Sequence, residues 1–144
     1  MADSRAILQA MDILRGWPWF RDQYVDVHHF HARLILPNRT GRLRVLHLDG
    51  GRMFYTWTKL DEPCFDLPSE EHWSKDGAML WLCDMVYDKG VSSRQAVEAC
   101  GNDMIDQGVA EDGQKIFFYR GSQERYGYGT VRRRQDTAER RAAQ

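Results

Sequence analysis

The sequence predicts a single α+β domain with an N-terminal helix, a three-stranded antiparallel β-meander, two central helices and a β-hairpin. Three observations support this prediction. Apolar residues recur at helical spacing near the N-terminus, β-branched and aromatic residues dominate the next stretch, and later apolar segments begin at residues that cap helices. A chain of 144 residues suffices for one domain with a substantial core. We assign residues 1–121 to this domain and residues 122–144 to a basic, partly flexible C-terminal arm.

The first helix is predicted to begin at Ser4 and to end before Gly16. Its apolar residues recur three and four positions apart, at Ile7, Leu8, Met11 and Leu14.

Three strands are predicted between residues 24 and 59. Residues 24–36, 43–49 and 52–59 are rich in β-branched and aromatic residues, which suit strands. Turn-forming residues separate them, namely Pro, Asn and Gly at 37–41 and Asp-Gly-Gly at 49–51. The three strands would form an antiparallel meander.

Two helices are predicted in the middle of the chain. The first starts near Ser69, and apolar residues on nearly all sides of its later part, 79–86, indicate a central, buried helix. Ser92 or Ser93 caps the second. A hairpin is then predicted around Asp112-Gly113. Helix, helix and hairpin is the local order of a winged-helix unit, so a winged-helix DNA-binding regulator is one function kept open.

Cysteine spacing and hydropathy predict a soluble cytoplasmic protein. The three cysteines are widely spaced and include no C-x-x-C pair, which favours thiols in a reducing compartment. The N-terminal segment has no basic region and no continuous apolar run, unlike a signal peptide. The longest apolar run, residues 78–83, is too short to cross a bilayer, so we expect no membrane partner.

The charges are segregated along the chain although the net charge is only −1. Residues 1–60 contain nine Lys and Arg against five Asp, and residues 61–119 contain four Lys and Arg against thirteen Asp and Glu. Residues 120–144 contain seven Arg against three acids. The chain is therefore basic at both ends and acidic in the middle, which would orient it on a charged partner.

Three of the five histidines lie within residues 28–31 and raise the question of a metal site. On a strand, His29 and His31 would share one face, and His47 of the neighbouring strand could approach them. Three imidazoles can hold zinc or manganese with a position left for water, as a hydrolase or nuclease requires; Asp26 or Asp49 could assist.

No H-E-x-x-H or paired-cysteine motif accompanies these histidines, however. Ordinary histidines on a half-exposed strand explain the same residues. A cysteine nucleophile would need a histidine brought close by tertiary structure, which the sequence does not reveal. A metal-dependent hydrolase or nuclease is therefore the alternative hypothesis.

Two basic regions are candidates for contact with RNA or DNA. One surrounds the turn before the second strand, and the other interleaves tyrosines with arginines in the C-terminal arm, a combination that suits base stacking and phosphate contacts. The candidate nucleic-acid-binding residues are Arg42, Arg44, Arg125, Tyr126, Tyr128, Arg132, Arg133 and Arg134.

The acidic middle segment opposes the reading of duplex DNA, because carboxylates there would repel phosphates. We expect it to contact a basic protein surface instead, through Glu70, Glu71, Asp103 and Asp106. Internal pairing with the basic strands is the other reading.

These observations favour binding over catalysis. The leading hypothesis is a small non-catalytic accessory or regulatory protein, without a cofactor, that docks on a protein or nucleoprotein partner. An inhibitor or adaptor encoded by a phage or mobile element would fit this description.

Overall fold

The computed structural model describes residues 4–18, 27–62, 71–120 and 125–134. Within these ranges the chain is an α+β fold with three helices and a five-stranded mixed sheet. Helix α1 spans Ser4–Leu14 and helix α3 spans Ser93–Asp106. Helix α2 has three consecutive parts, of which the middle one is π-helical: Val27–Phe30, His31–Ile35 and Leu36–Arg39. A short 3-10 turn covers Glu71–Ser74.

The five strands lie side by side in chain order. They are β1 (Leu43–Leu48), β2 (Gly51–Leu60), β3 (Met79–Tyr87), β4 (Lys115–Arg120) and β5 (Arg125–Thr130). All neighbours are antiparallel except β3 and β4, which are parallel. Parallel neighbours need a crossover connection, and here α3 provides it. In the described ranges, no helix combines the length and apolarity needed to cross a membrane.

Helices cover both faces of the sheet. On one face, the α1–α2 face, residues of α1 and Leu34 of α2 pack on Phe54 and Val86. On the other, the α3 face, Ala96, Cys100 and Met104 of α3 form a second core with these sheet residues: Met53, Tyr55 and Leu80. Alternation along β2 therefore feeds both cores, because successive side chains of a strand point to opposite faces.

A β-bulge interrupts the pairing of β2 with β3. Thr56 lies opposite Asp84 and Trp57 lies opposite Leu82, so the register skips Cys83. The extra residue changes which side chains share a face. Leu82 and Met85 both pack against the α3 core, whereas Asp84 pairs with Arg33 of α2 on the opposite face.

Several predicted elements are confirmed. The N-terminal helix is α1, and the Asp49-Gly50 turn joins β1 to β2 with Gly50 at a φ of 90°, which favours glycine. Ser92 caps α3, where its hydroxyl accepts a hydrogen bond from the amide of Gln95 at 3.1 Å.

The strand predicted at 24–36 is wrong for the residues that the structure describes, because 27–36 belong to α2. Helix α2 buries Ala32, Leu34 and Leu36, and the indole of Trp73 donates a hydrogen bond to the carbonyl of Ala32 at 2.7 Å. Packing against the sheet thus outweighs the β propensity of the branched and aromatic residues here.

The prediction of a first central helix is also wrong, because residues 79–86 lie in β3. This strand is third of five and is covered on both faces, so nearly every side chain is apolar and strand periodicity is lost. The hairpin predicted at Asp112-Gly113 is wrong as well, since that turn precedes β4 and the hairpin partner of β4 is β5. The three-stranded meander, the two central helices and the winged-helix order are accordingly overturned.

The β1–β2 turn touches the turn after β3 through two glycines. A Cβ atom on Gly90 would collide with the carbonyl oxygen of Gly50. We expect Gly90→Ala to lower the free energy of unfolding by about 1–3 kcal/mol, as overpacking does elsewhere. Urea denaturation would measure this loss.

Gly16→Ala is the matched control, because the nearest atom to a Cβ there is the Ile13 carbonyl oxygen at 3.4 Å. We expect a change within about 0.5 kcal/mol. Equal effects of the two substitutions would show that the Gly50–Gly90 approach does not limit stability.

Candidate binding site

An apolar cavity of about 310 Å³ lies between α3 and the sheet. Helix α3 supplies one wall and strands β3, β4 and β5 supply the floor. The apolar lining residues are Leu82, Met85, Val97, Cys100, Met104, Ile116, Phe118 and Val131. Its volume is at the lower end of the range of small-molecule sites, which is roughly 300–1,000 Å³.

The glycines of β5 help to create this space. Gly129 lies opposite Ile116 and Gly127 lies opposite Phe118, so both occupy the face of the sheet that α3 covers. A glycine has no side chain to fill the gap beneath the helix. Gly101 of α3 contributes in another way, because a Cβ there would lie 3.2 Å from the carbonyl oxygen of Arg132. The missing side chain lets the chain after β5 pass close to α3.

Three charged residues contribute to the lining of the cavity. Arg132, Arg134 and Glu98 line it together with the apolar residues. Glu98 pairs with Arg94, with 3.3 Å between the nitrogen and oxygen atoms. Among the residues that the structure describes, no carboxylate pairs with the guanidinium of Arg132 or Arg134. Arg134 therefore brings a positive charge to the lining, whereas a guanidinium nitrogen of Arg132 lies 3.5 Å from the Cβ position of Gly113, outside the lining.

A second, more open groove of about 320 Å³ continues from this mouth. It shares Val97, Glu98 and Arg134 with the cavity and adds Ser93 and Arg94. Val97 stands at the junction of the two spaces and is 57% exposed. A ligand longer than the cavity would extend into this groove.

Cys100 lies buried in the wall of the cavity. Burial, and to a smaller extent the charge of Asp103, raises the pKa of its thiol to about 12. The thiol therefore stays protonated at neutral pH and contributes an apolar surface.

A hydrogen-bonded network fixes α3 on the sheet beside the cavity. The Arg44 guanidinium donates twice to the Asp103 carboxylate, each time at 2.9 Å, and the buried Tyr55 hydroxyl donates to the same carboxylate at 2.6 Å. Burial and the Asp103 charge raise the pKa of Tyr55, so its hydroxyl remains a donor. The paired Asp103 raises the pKa of Arg44.

The predicted nucleic-acid-binding residues are spread over several environments. Arg44 is in the network with Asp103, and Arg133 pairs with Asp106 at 2.6 Å. The guanidinium of Arg42 lies over the Trp57 ring, 4.7 Å from its centroid.

The predicted arm contains β5, and residues 132–134 after this strand run along α3. Arg125 lies opposite Arg120 and Tyr126 lies opposite Tyr119 in the β4–β5 pair. Arg132 and Arg134 reach the cavity. Tyr128 is 65% exposed on the face of the sheet opposite the cavity, as its alternation with Gly127 and Gly129 requires.

Two predicted partner-binding residues are engaged inside the domain, because Asp103 bonds to Arg44 and Asp106 bonds to Arg133. Arg133 lowers the pKa of Asp106, chiefly by hydrogen bonding. Glu71 is exposed in the 3-10 turn. Glu70 lies outside the described residues.

The histidines of the metal hypothesis occupy different elements. His29 and His31 lie on α2, not on a strand, and His47 lies exposed on β1. Asp49 is in the β1–β2 turn, and Asp26 is outside the described residues. In the part of the chain that the structure describes, no three potential metal-ligating side chains converge.

Sequence reasoning did not identify the cavity. The signal was the alternation of tyrosine and glycine in residues 126–129, which was interpreted as an arm and not as a strand beneath a helix. The floor residues Leu82 and Met85 were assigned to a helix. Only the pairing of β3 with β4 brings these residues together with α3.

The two acids of α3 provide a test of the Asp103 network. The Asp103 side chain is 12% exposed, and Asp103→Asn removes the charge that holds both Arg44 and Tyr55. We expect this substitution to lower the free energy of unfolding by about 1–3 kcal/mol, because buried hydrogen-bonding groups lose their partner. Denaturant titration followed by circular dichroism would measure it.

Asp106→Asn changes the same chemistry on the same helix, but its side chain is 57% exposed. We expect no measurable loss there, because exposed ion pairs contribute little. A larger effect at Asp106 than at Asp103 would contradict the structural role of the network.

No model of a known protein family matches the chain, and no curated protein matches its sequence significantly. A function for this chain therefore has to be inferred from its own residues and their geometry.

Proposed function

We propose that the protein is a non-catalytic binding protein that holds a small apolar ligand with an anionic group in the cavity beneath α3. The observation that carries this proposal is the combination of an almost wholly apolar lining with Arg134, which lines both the cavity and the groove beside it. An accessory or regulatory role on a protein partner remains part of the proposal, with the bound ligand as the signal.

The apolar lining favours an organic ligand over water. A volume of about 310 Å³ equals that of roughly ten liquid waters at about 30 Å³ each. Buried water needs two to four polar partners, and the walls of aliphatic, aromatic and sulfur side chains provide few. Each methylene group moved from water into such a space contributes about 0.8 kcal/mol. An apolar body is thus the chemistry that the walls recognise.

Arg134 favours a negative charge at the end of that body. A guanidinium binds carboxylate, sulfonate or phosphate groups through paired hydrogen bonds. Glu98 is the opposing charge at the mouth, and Arg94 pairs with it. Arg134, which lines both the cavity and the groove, therefore sets the preference for an anion.

The acid–base pairs within the domain bear on partner docking. Asp103 and Asp106 face Arg44 and Arg133, so fewer charges remain for a partner than the segregated sequence predicts. This supports docking on a protein partner through the bound ligand and the groove beside α3, with a smaller contribution from the net charge of each segment.

Two fluorescent probes with similar ring systems test the proposal. Anilinonaphthalene sulfonate carries an anionic group, and N-phenylnaphthylamine does not. We expect both to bind the folded protein, with the anionic probe tighter by about tenfold, since a charge-assisted hydrogen bond contributes roughly 1.5 kcal/mol or more. Arg132→Gln with Arg134→Gln should remove this difference.

Val97→Phe places a ring at the junction of cavity and groove, and we expect it to abolish binding of both probes. Leu8→Phe is the matched control, because Leu8 is 64% exposed on α1, across the sheet from the cavity. Unchanged probe affinity in a folded Val97→Phe variant would contradict the proposal. Equal affinity for the two probes in the unmodified protein would contradict it as well.

Contact with single-stranded nucleic acid is a second candidate function, and one observation favours it. The exposed Tyr128 ring lies beside Phe117, and the Lys115 ammonium is 4.3 Å from the centroid of the Tyr128 ring. An exposed ring with a cation beside it suits base stacking and phosphate contact. This surface lies on the opposite face of the sheet from the cavity.

Binding of a fluorescent oligonucleotide, measured across a salt series, tests this second function. We expect Tyr128→Ala to weaken binding by about 1–3 kcal/mol and Lys115→Gln to reduce the salt slope by about one. Arg94 is exposed on α3, and Arg94→Gln should leave both the affinity and the salt slope unchanged. Binding that is insensitive to Tyr128 and Lys115 would exclude this face.

A further inference from the structure

We propose that the cavity beneath α3 binds an unbranched alkyl carboxylate of about eight to ten carbons, with its carboxylate beside Arg134 and its chain directed towards Met104. This inference rests on the proposed function, because it names the ligand class of the same cavity. Four features of the cavity support it: its length, its cross-section, its walls and the position of Arg134.

Helix α3 sets the length of the cavity. Its lining residues recur three and four positions apart and so lie along one face of the helix: Val97, Cys100, Gly101 and Met104. Val97 and Met104 are seven positions apart, which corresponds to about 10 Å at a rise of about 1.5 Å per residue. Carbon–carbon bonds of about 1.5 Å advance an extended alkyl chain by roughly 1.25 Å each. A chain of about nine carbons therefore matches this wall.

The two ends of this wall differ in exposure. Val97 is 57% exposed and also lines the groove, whereas Met104 is fully buried in the α3 core. Cys100, which lies between them on the helix, is buried as well. The cavity is therefore open at Val97 and closed at Met104. This arrangement suits a ligand whose apolar tail enters first and whose polar group stays near solvent.

The volume of the cavity corresponds to one alkyl chain. A volume of about 310 Å³ over a length of about 10 Å gives a mean cross-section of roughly 30 Å². A methylene group fills about the same volume as a liquid water, roughly 30 Å³, so the cavity has room for about ten carbons. Two chains side by side would need twice that volume. Length and volume therefore agree on a single chain of similar size.

The walls favour an aliphatic chain over an aromatic ring. Phe118 is the only aromatic residue among the described residues that line the cavity. Met85 and Met104 have unbranched, flexible side chains, so they can adjust to the conformations of a bound chain. Gly129 leaves space beneath the helix where a side chain would otherwise stand. These surfaces provide dispersion contacts to methylene groups and little area for stacking.

Arg134 is the group that would bind the carboxylate. The Asn102 side chain fixes its backbone on α3, donating a hydrogen bond to its carbonyl and accepting one from its amide, each at 2.8 Å. Arg134 and Val97 both line the cavity and the groove, so the arginine belongs to the open end. Glu98, the carboxylate of the same lining, pairs with Arg94. The guanidinium of Arg134 can donate two parallel hydrogen bonds to the ligand carboxylate.

A series of saturated carboxylates from hexanoate to tetradecanoate tests the chain length. Isothermal titration calorimetry on the full chain, below the micelle concentration of each compound, would give the dissociation constants. We expect affinity to rise about fourfold per methylene up to about ten carbons, and less than twofold per methylene beyond that. A steady rise through tetradecanoate would indicate general apolar association and would overturn the proposal. An affinity that does not depend on chain length would overturn it too.

Gly129→Val tests whether the cavity itself sets this length. The nearest atom to a Cβ at Gly129 is a carbon of the Phe118 ring at 3.9 Å, an ordinary contact, so the new side chain fits without collision. It fills the volume of about three methylene groups, and we expect the preferred carboxylate to become about three carbons shorter. Tyr128→Phe, on the opposite face of the same strand, is the control and should leave the preference unchanged. An unchanged preference in a folded Gly129→Val variant would contradict the proposal.

Decanoate and 1-decanol, which have the same chain, test the position of the carboxylate. We expect Arg134→Gln to weaken decanoate binding about tenfold and to leave decanol binding unchanged, because only decanoate makes a charge-assisted hydrogen bond. Arg132→Gln is the matched control, since a guanidinium nitrogen of Arg132 lies 3.5 Å from the Cβ position of Gly113, outside the lining. Equal losses in the two variants, or equal losses for the two ligands, would refute the role of Arg134.

These measurements separate the ligand class from the proposed function. If the folded protein binds neither fluorescent probe and none of the carboxylates, the proposed function is wrong and this inference is wrong with it. If the probes bind in the cavity but the carboxylates show no limit near ten carbons, only the alkyl carboxylate is refuted.

Discussion

The central strand β3 is the constraint on which the rest of this structure depends. It is the third of five strands, with α1 and α2 on one face and α3 on the other, so its side chains are apolar almost throughout. Its bulge at Cys83 directs Leu82 and Met85 towards α3 and Asp84 towards α2. One inserted residue thereby shapes both the cavity floor and the Arg33–Asp84 pair.

Ion pairs attach the helices to the sheet and explain the alternating charge of the sequence. Arg33 of α2 donates to Asp84 of β3 at 2.6 and 3.2 Å, and Arg44 of β1 binds Asp103 of α3. Arg133, after β5, binds Asp106 of the same helix. The basic ends of the chain therefore meet its acidic middle within one domain. Among the described residues, part of the charge segregation along the sequence thereby becomes charge pairing in space.

The cavity and the exposed tyrosine arise from the same short segment. Alternation in β5 directs glycines to the face under α3 and Tyr128 to the opposite face. Removing side chains beneath a helix leaves an apolar space, while the bulky ring on the other face meets solvent and Lys115. Two surfaces of different chemistry thus share one strand. A change in the pairing of β5 with β4 would alter both.

The sequence by itself determined the features whose signals are local. The helical spacing of α1, the Asp49-Gly50 turn between β1 and β2, and the Ser92 cap of α3 depend on neighbouring residues, and all three are present. The sequence also contained the Tyr-Gly alternation of β5, but not the helix that covers it. Tertiary structure decided whether residues 27–36 and 79–86 became helix or strand, because burial on both sides or against a sheet outweighs intrinsic propensity. It also decided that Cys83 would meet His72, eleven positions away, and that the arginines would meet the acids. Such contacts depend on how the elements pack, which no local pattern specifies.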